Sequence, residues 1–327
     1  MHSASRRLAL AAVAALAAAP MFSAAQPPAW PAKPIHIIVA YPAGGVSDVV
    51  ARALGERLAA LLGQPVVVEN KAGAGGAIAM DAVAKAAPDG YTLAFSSISP
   101  LALSPHLGKL TFDPVRDIAP VASVMYSPVL LLATGATAAK SWPELLAAAK
   151  ASPGAVRWAT AGLASLGHIV LEQVMRGAQV QITHVPYKGG GQQLNDALSG
   201  QFEVLSTNAG PTVMQHIKAG KLRPLAVGAP RRLAALPGVP TLAELGLPAA
   251  NMASLFGVFA PARTPAPVLE RLHAEINKAL AEPGLRARLE GTDNVPTGGS
   301  AAAFAKQIAQ ESENNARIIR AAGIRLD

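Results

Sequence analysis

Two short stretches of this chain hold residue types from which chemistry could be built. One reads Tyr41-Pro42-Ala43-Gly44-Gly45-Val46-Ser47-Asp48, the other Thr160-Ala161-Gly162-Leu163-Ala164-Ser165-Leu166-Gly167-His168. In the second, Ser165 and His168 stand one helical turn apart, a separation that suits a nucleophile and its base provided a third group orients the imidazole. No obvious acid stands ready for that task. Leu163 and Ala164 before the serine also break the spacing of a nucleophile elbow. Capture of an anion suits both stretches better. Each puts small residues and a helix-capping type, Ser47-Asp48 or Ser165, at the start of an amphipathic run. First-turn amides of a helix lack intrahelical partners and attract negative charge. Gly44 and Gly45 let a ligand approach the backbone closely. Read singly, either stretch is equally a plain turn; the recurrence of the device favours a ligand.

The elements that must position these loops follow from the apolar pattern. Ile35, Ile37, Ile38 and Val39 predict a buried strand, and the helix after the first loop runs to Leu62. Gln64 to Asn70 predicts a second strand. Lys71-Ala72-Gly73-Ala74-Gly75-Gly76 resembles half of a dinucleotide fingerprint, with Ile78 where the last glycine should stand, so a nicotinamide site is a weak reading. A helix follows from Ala77 to Ala86, then a strand over Tyr91 to Phe95 that opens into Ser96-Ser97. A second series begins with a strand over Val129 to Thr134 and a capping box at Ser141 and Glu144. It continues with strands over Arg157 to Ala159, Gln181 to His184, Phe202 to Thr207 and Arg223 to Val227, and a long apolar strand from Ser254 to Ala260. The tail after Pro265 is helical, with breaks at Pro283-Gly284 and Pro296 to Gly299. Alternating strands and helices predict an α/β fold with a mostly parallel sheet, in two series facing each other across a cleft.

Composition limits the function classes. The 327 residues suffice for two domains, and at 51% hydrophobic with 15% charged the chain is globular. Its net charge of +8 is spread thinly; Arg231-Arg232 is the one basic doublet in the body, and no aromatics interleave, so nucleic acid is not an expected partner. Cysteine is absent, which removes thiolate metal sites and cysteine catalysis. No His-Glu-x-x-His or phosphate-loop lysine is present, so no metal, cofactor or catalytic residue is assigned. Arg6-Arg7, an apolar run from Leu8 to Ala19 and Ser23-Ala24-Ala25 form the pattern of a signal peptide over residues 1–25, implying a periplasmic location. The uncharged stretch from Ile118 to Ala139 contains Pro120 and Pro128 and predicts two buried strand pieces around a turn, not a membrane span.

Taken together, these motifs resemble the Bug family, the periplasmic substrate-binding (TctC-like) components of tripartite tricarboxylate transporters. The resemblance rests on Tyr41-Pro42-Ala43-Gly44-Gly45 with Asp48, on Gln64 to Lys71 with Gly73-Ala74-Gly75-Gly76, and on Pro88-Asp89-Gly90-Tyr91-Thr92-Leu93. His184-Val185-Pro186-Tyr187-Lys188-Gly189 and Pro240 to Gly246 complete it, so that it covers nearly the whole mature chain. It implies a type II periplasmic binding fold of two α/β lobes with a central cleft. Lobe 1 would comprise residues 26–126 and 253–327, and lobe 2 residues 127–252. The family binds amino acids, di- and tricarboxylates or aromatic acids through loop backbone and water. The resemblance further implies a monomeric receptor serving membrane transporter subunits (TctA/TctB-like). By position it assigns ligand contacts to Tyr41, Pro42, Ala43, Gly44, Gly45, Ser47 and Asp48 in the first loop, and to Ser96 and Ser97. In lobe 2 it assigns Thr160, Ala161, Gly162, Ser165 and His168, with Tyr187 and Asn208 as walls.

Several of these residues carry a second reading. Asp48 is either a helix cap or the acceptor of a ligand amine. Ser165 serves as N-cap, as carboxylate donor, or both. His168 and Tyr187 are equally at home in packing, and Lys188 as a solvated loop charge. Three positions depart from the family's usual residues: Val46 replaces a hydroxyl residue, Ala164 a glycine, and Ser206-Thr207-Asn208 a Phe-Asp-Asn that carries a carboxylate into the cleft. These changes predict an altered ligand preference. The competing function is a periplasmic α/β hydrolase built on Ser165 and His168, acting on a small acid or ester.

Overall fold

Strand β1 (Ile35–Val39) is the β-branched run, and helix α1 (Val46–Leu62) follows it, stopped by Gly63 in the left-handed region (φ 69°). The computed structural model describes residues 30–322; the unit treated below begins at Lys33, and the predicted signal peptide lies outside the described residues. Next come β2 (Val66–Asn70), α2 (Ala77–Ala84), β3 (Thr92–Ser97) and the short α3 (Ser99–Ala102). Strand β4 (Ile118–Ala133) leads to α4 (Trp142–Ala151), β5 (Arg157–Thr160), α5 (Leu166–Ala178), β6 (Thr183–Pro186) and α6 (Gly190–Leu198). Then follow β7 (Val204–Asn208), α7 (Pro211–Lys218), β8 (Arg223–Gly228) and β9 (Ala253–Pro261). The chain closes with α8 (Ala266–Ala281), α9 (Pro283–Glu290), β10 (Val295–Pro296) and α10 (Ala301–Ala322).

The strands are joined in the order β2-β1-β3-β9-β4-β7-β5-β6, with β8 and β10 also paired to β4. β1 is parallel to β2 and β3, and β5 is parallel to β6 and β7, so each half of the sheet carries a βα series. The expected mostly parallel sheet is corrected, because β9 is antiparallel to β3 and β4 is antiparallel to β7, β8, β9 and β10. β4 and β9 run antiparallel between the halves and pair with each other from Ile118↔Pro261 to Pro128↔Ala253. The expected lobe limits at 126/127 and 252/253 therefore fall within β4 and at the start of β9.

A second expectation is corrected. The segment from Ile118 is a single sixteen-residue strand, not two pieces around a turn. The prolines do not end it. The ladder shifts register between Pro120 and Ala122 and again between Ser123 and Met125, and Pro128 contributes its carbonyl, which accepts from the Ala209 amide at 3.1 Å. The uncharged run is explained by burial on both faces, as for any strand in the middle of a covered sheet.

Each half has its own core. Ile38, Met80, Val83, Phe259 and Phe304 pack in the first. In the second, Trp158 is fully buried and meets Trp142 edge-on at 6.4 Å, with Leu131, Val170 and Val174 around the pair. Burying each such side chain stabilises by about 2 kcal/mol, so both halves are rigid platforms for the loops at their strand ends. Among the described residues no helix is long and apolar enough to cross a membrane.

Candidate functional site

The carboxyl ends of β1, β3, β5 and β7 open onto one cavity of about 370 Å³, where open α/β sheets place ligands. Its wall includes the starts of four helices: Val46 and Ser47 of α1, Leu166 and Gly167 of α5, Gly190 and Gly191 of α6, and Pro211 to Val213 of α7. Among the described residues, the amides of Val46, Ser47, Leu166 and Gly167 donate to no protein acceptor. First-turn amides from both halves therefore face one space, and each helix end carries a partial positive charge. Among the described residues, no Asp, Glu, Lys, Arg or His side chain lines the cavity. A second hollow of about 1220 Å³ shares only Ser99, Leu166 and Ser254 with it and is lined in part by Arg231, Arg232, Glu290, Asp293 and Glu311.

The first loop supplies Tyr41, Pro42, Ala43, Gly44, Gly45 and Ser47 to the wall. Asp48 lies behind them. Its carboxylate accepts from the Gly44 amide at 3.0 Å and from Asn70 Nδ2 at 3.0 Å, and pairs with Arg52 at 2.9 Å. Asn70 Nδ2 also donates to the Tyr41 carbonyl, so the end of β2 ties both ends of the loop. Burial works to raise the Asp48 pKa, but the bonds from Arg52, Gly44 and Asn70 outweigh it and hold the carboxyl below its usual value. Tyr41 hydroxyl and Ser97 Oγ are 2.6 Å apart, and burial pushes the phenol pKa up, so the ring stands neutral on the wall. Ser97 lines the cavity, whereas Ser96, fully buried in the same strand, does not.

The second loop supplies Ala161 and Ser165. Ser165 is the N-cap of α5, accepting from the His168 amide at 3.4 Å, so both of its predicted roles are geometrically open. Thr160 and Gly162 stand behind the wall. Thr160 Oγ1 donates to the Gly162 carbonyl at 3.1 Å, accepts from the Gly162 amide, and meets His184 Nε2 at 2.7 Å. His168 is 5% exposed and its ring stacks on His184, centroids 4.2 Å apart and planes 10° from parallel. Its Nε2 lies 3.6 Å from Glu172, and among the described residues no hydrogen bond joins its ring to the Ser165 hydroxyl. The nucleophile–base pairing that a hydrolase needs is therefore absent from this geometry. Tyr187 also sits back from the cavity, donating to Asp196 at 2.7 Å and meeting Phe202 edge-on, its pKa pushed up to about 12 by burial and by the Asp196 carboxylate. Asn208 lines the cavity, its amide nitrogen spent on Ser127 O, Pro128 O and Ser254 Oγ.

Ala164 stands at φ 58°, a left-handed backbone that glycine adopts at less cost. The two halves touch through glycines. A Cβ on Gly189 would lie 2.4 Å from Pro42 Cδ, and one on Gly75 would lie 3.1 Å from the Leu163 carbonyl. Wall residues beyond the predicted set are mainly the starts of α6 and α7, with Ser254 and Phe256 of β9. The helix starts carry a readable signal, Gly189-Gly190-Gly191 and Gly210-Pro211, which is the small-residue device again. Ser254 and Phe256 carry none, since inside an apolar strand only the three-dimensional crossing shows which residues face the cleft.

Comparison with known proteins agrees with this architecture. The family described as "Tripartite tricarboxylate transporter family receptor" matches residues 50–324. Protein BugT of Bordetella pertussis is 38% identical over 299 residues, 91% of this chain and 91% of that protein. Among solved structures, Rpa4515 of R. palustris with adipate superposes with a TM-score of 0.86 at 31% identity, covering 91% of this chain and all of that one. MatC of Rhodopseudomonas palustris with bound malate superposes with a TM-score of 0.83 at 30% identity, covering 89% of this chain and all of that one. The chain is thus a two-lobed solute-binding receptor, and it belongs to the tripartite tricarboxylate transporter receptor (Bug/TctC) family of periplasmic binding proteins.

Proposed function

We propose that this receptor captures a small carboxylate in the 370 Å³ cavity between its halves and, acting as a monomer without enzymatic activity, presents it to TctA/TctB-like membrane subunits. The carrying observation is the convergence of four helix starts from both halves on one cavity. Charge-assisted bonds from fixed amides are strong, and a closed, dry space strengthens them further. The adipate and malate in the two similar structures are small carboxylates of the size such a cavity admits. Ligand that touches both halves favours the arrangement in which they approach each other. The signal peptide pattern supports export to the periplasm, with cleavage after Ala25 leaving a net charge of 8 − 2 = +6. Lobe 1 as residues 26–126 with 253–327 and lobe 2 as 127–252 fits the two βα series, with β4 and β9 as the crossing strands.

The test is a thermal-shift screen of the mature protein against mono-, di- and tricarboxylates. A ligand bound only by the folded state stabilises by about 2.7 kcal/mol at hundredfold excess over Kd. Gly45→Val should abolish that shift while leaving the unliganded Tm nearly unchanged. Gly45 has φ −76°, which valine adopts, and a Cβ there meets only the Pro42 carbonyl at 3.5 Å. An undiminished shift in this variant would remove the first loop from the site.

A further inference from the structure

Strands β4 and β9 join the halves of the sheet, and their alternation divides what lies around them. Val129 of β4 and Phe256 of β9 line the cavity, whereas Tyr126 of β4 and Leu255 of β9 line the second hollow, of about 1220 Å³. That hollow therefore lies behind the crossing strands, between the halves. One wall comes from α10 and the turn before β10, which belong with the first half, since Phe304 and Ile308 of α10 pack in its core. The other comes in part from residues 230–234 after β8, where Leu233 packs with Leu130, Leu205 and Val227 of the second half. Polar contacts join the halves here. The Asp293 carboxylate accepts from the Ala234 amide at 3.0 Å through Oδ1 and from the Ala235 amide at 3.4 Å through Oδ2. Buried Asn294 donates from Nδ2 to the Ala209 carbonyl at 3.2 Å. At the end of α10 the Ala321 carbonyl accepts from Arg176 of α5 at 2.7 Å, beside Ile319, which packs with Ala164 and Ile169. Neither Asp293 nor Arg176 lines the cavity.

We infer that these contacts form a latch: Asp293 and Arg176 hold the halves in the arrangement that brings both loops to one cavity, and so set ligand affinity from outside it, a role that rests on the capture between halves proposed above. Two bodies joined by a pair of strands can rotate about them. A hydrogen bond is lost once its heavy atoms part beyond about 3.5 Å. A rotation that separates the two loops moves Ala234 relative to Asp293 and Arg176 relative to Ala321, so these bonds belong to one arrangement and not to the other. Contacts made in one arrangement only shift the population towards it. A ligand that touches both loops favours that same arrangement, so latch and ligand assist each other. Where the competent arrangement is less populated, apparent affinity falls by the same fraction. The backbone of Asp293 agrees with this role: φ 57° is left-handed, a conformation that a residue other than glycine keeps where its surroundings demand it. Asn294 is a poor place to break the latch, because its buried amide also braces Thr292 through two bonds.

The experiment uses the mature protein, which has no cysteine of its own. Ala60→Cys in α1 and Ala148→Cys in α4, both at exposed positions, take one spin label on each half, and pulsed electron spin resonance reads the distance between them. Without ligand the parent protein should give one narrow distance distribution. Asp293→Gly combined with Arg176→Ala should add a second population. Glycine accepts φ 57° without strain, so this variant loses the acceptors and keeps the backbone. Asp293→Asn retains one acceptor oxygen and a residue type at ease in the left-handed region, and should keep the parent distribution. Adipate and malate are then titrated by calorimetry. Whichever binds should bind about tenfold more weakly to the double variant and, at saturation, restore the single distribution. An unchanged distribution in the double variant overturns the latch and leaves carboxylate capture standing. A second population with undiminished affinity also overturns it, since the contacts then hold the halves without setting affinity. If neither acid binds the parent protein, the carboxylate reading is what fails, and the distance distribution still decides the latch.

Discussion

The two loops that face each other across the cavity do the same job with opposite bracing. Both end a parallel strand, both open onto a helix start, and both present small residues to the space. Behind the first is a charged clamp in which Asp48, Arg52 and Asn70 tie the Gly44 amide and the Tyr41 carbonyl. Behind the second is a neutral clamp in which Thr160 meets His184 and His184 stacks on His168, under the helix capped by Ser165. On the proposed reading, the difference teaches that a helix start offered to an anion does not need a charged support, only one that fixes the loop and keeps its own charge off the wall. It also means that the two loops should fail under different insults, which makes the comparison testable.

The largest effect is expected at the charged clamp. Asp48→Ala removes the acceptor of one amide and one carboxamide, and hydrogen bonds to a charged group contribute about 2 kcal/mol together with the pairing they enforce. Stability should fall by about 2–3 kcal/mol and ligand affinity by about tenfold or more, since the Tyr41–Ser47 wall loses its anchor. Arg52→Ala should cost under about 1 kcal/mol, because the guanidinium is half exposed and Asp48 keeps two neutral donors. Equal losses in the two variants, measured by denaturant unfolding, would mean that the ion pair and not the loop clamp is what matters. Because the Asp48 pKa is lowered on folding, its contribution is present at neutral pH and is lost as pH falls below the ordinary carboxylate range.

Much of this arrangement is legible in the residues themselves. The strand, glycine loop and helix of each series follow from β-branched runs, capping types and amphipathic spacing, all of them local signals. So does the capping box, whose Glu144 carboxylate accepts from Ser141 Oγ at 3.0 Å and from the Lys140 amide at 2.8 Å. What the pattern misplaces is where partners come from a distance. The strand over Gln181 to His184 lies at Thr183–Pro186, because register against Arg157–Thr160 and not local propensity sets its ends. Ser96 and Ser97, read together as a loop, end a strand whose alternation buries the first and leaves the second on the wall. His168 is adjacent to the loop in sequence yet is drawn inward by His184, sixteen positions on. Its place depends on a stacking partner that no local motif announces.

The neutral clamp should give way in mild acid. Burial, and then the neighbouring His168, push the His184 pKa from 6.5 down to about 4, with Glu172 opposing. These two are the titratable groups facing the ring. A base whose pKa is depressed on folding binds more protons when unfolded, so stability falls as pH drops from about 6.5 towards 4 and is unaffected above. For a partly exposed ring we expect about 1–2 kcal/mol across that window after solvent screening. His184→Gln keeps a donor and acceptor for Thr160 and removes the titration. The difference in Tm between wild type and variant should therefore change between pH 6.5 and 4 and be flat above it. A constant difference would show that His184 binds its proton alike in the folded and unfolded chain, and the contrast with the charged loop would lose its acid-sensitive arm.

The smallest effect separates bracing from contact at the second loop. Ser165 caps α5 through a long bond of 3.4 Å and also stands on the cavity wall. Ser165→Ala should lower stability by about 0.5–1 kcal/mol, the low end for a cap, whereas Ser165→Gly should cost only a few tenths, since glycine is tolerated at that position. The hydroxyl is lost in both. If it donates to a bound carboxylate, the two variants should lose affinity alike, by about tenfold, the loss expected for one hydrogen bond to a charged group. If it serves only as a cap, affinity should follow stability and the glycine variant should bind nearly as wild type does. A glycine variant with wild-type affinity would move Ser165 into the bracing set with Thr160 and His168, and would leave recognition on this side of the cavity to the amides of Leu166 and Gly167 and the helix starts beside them.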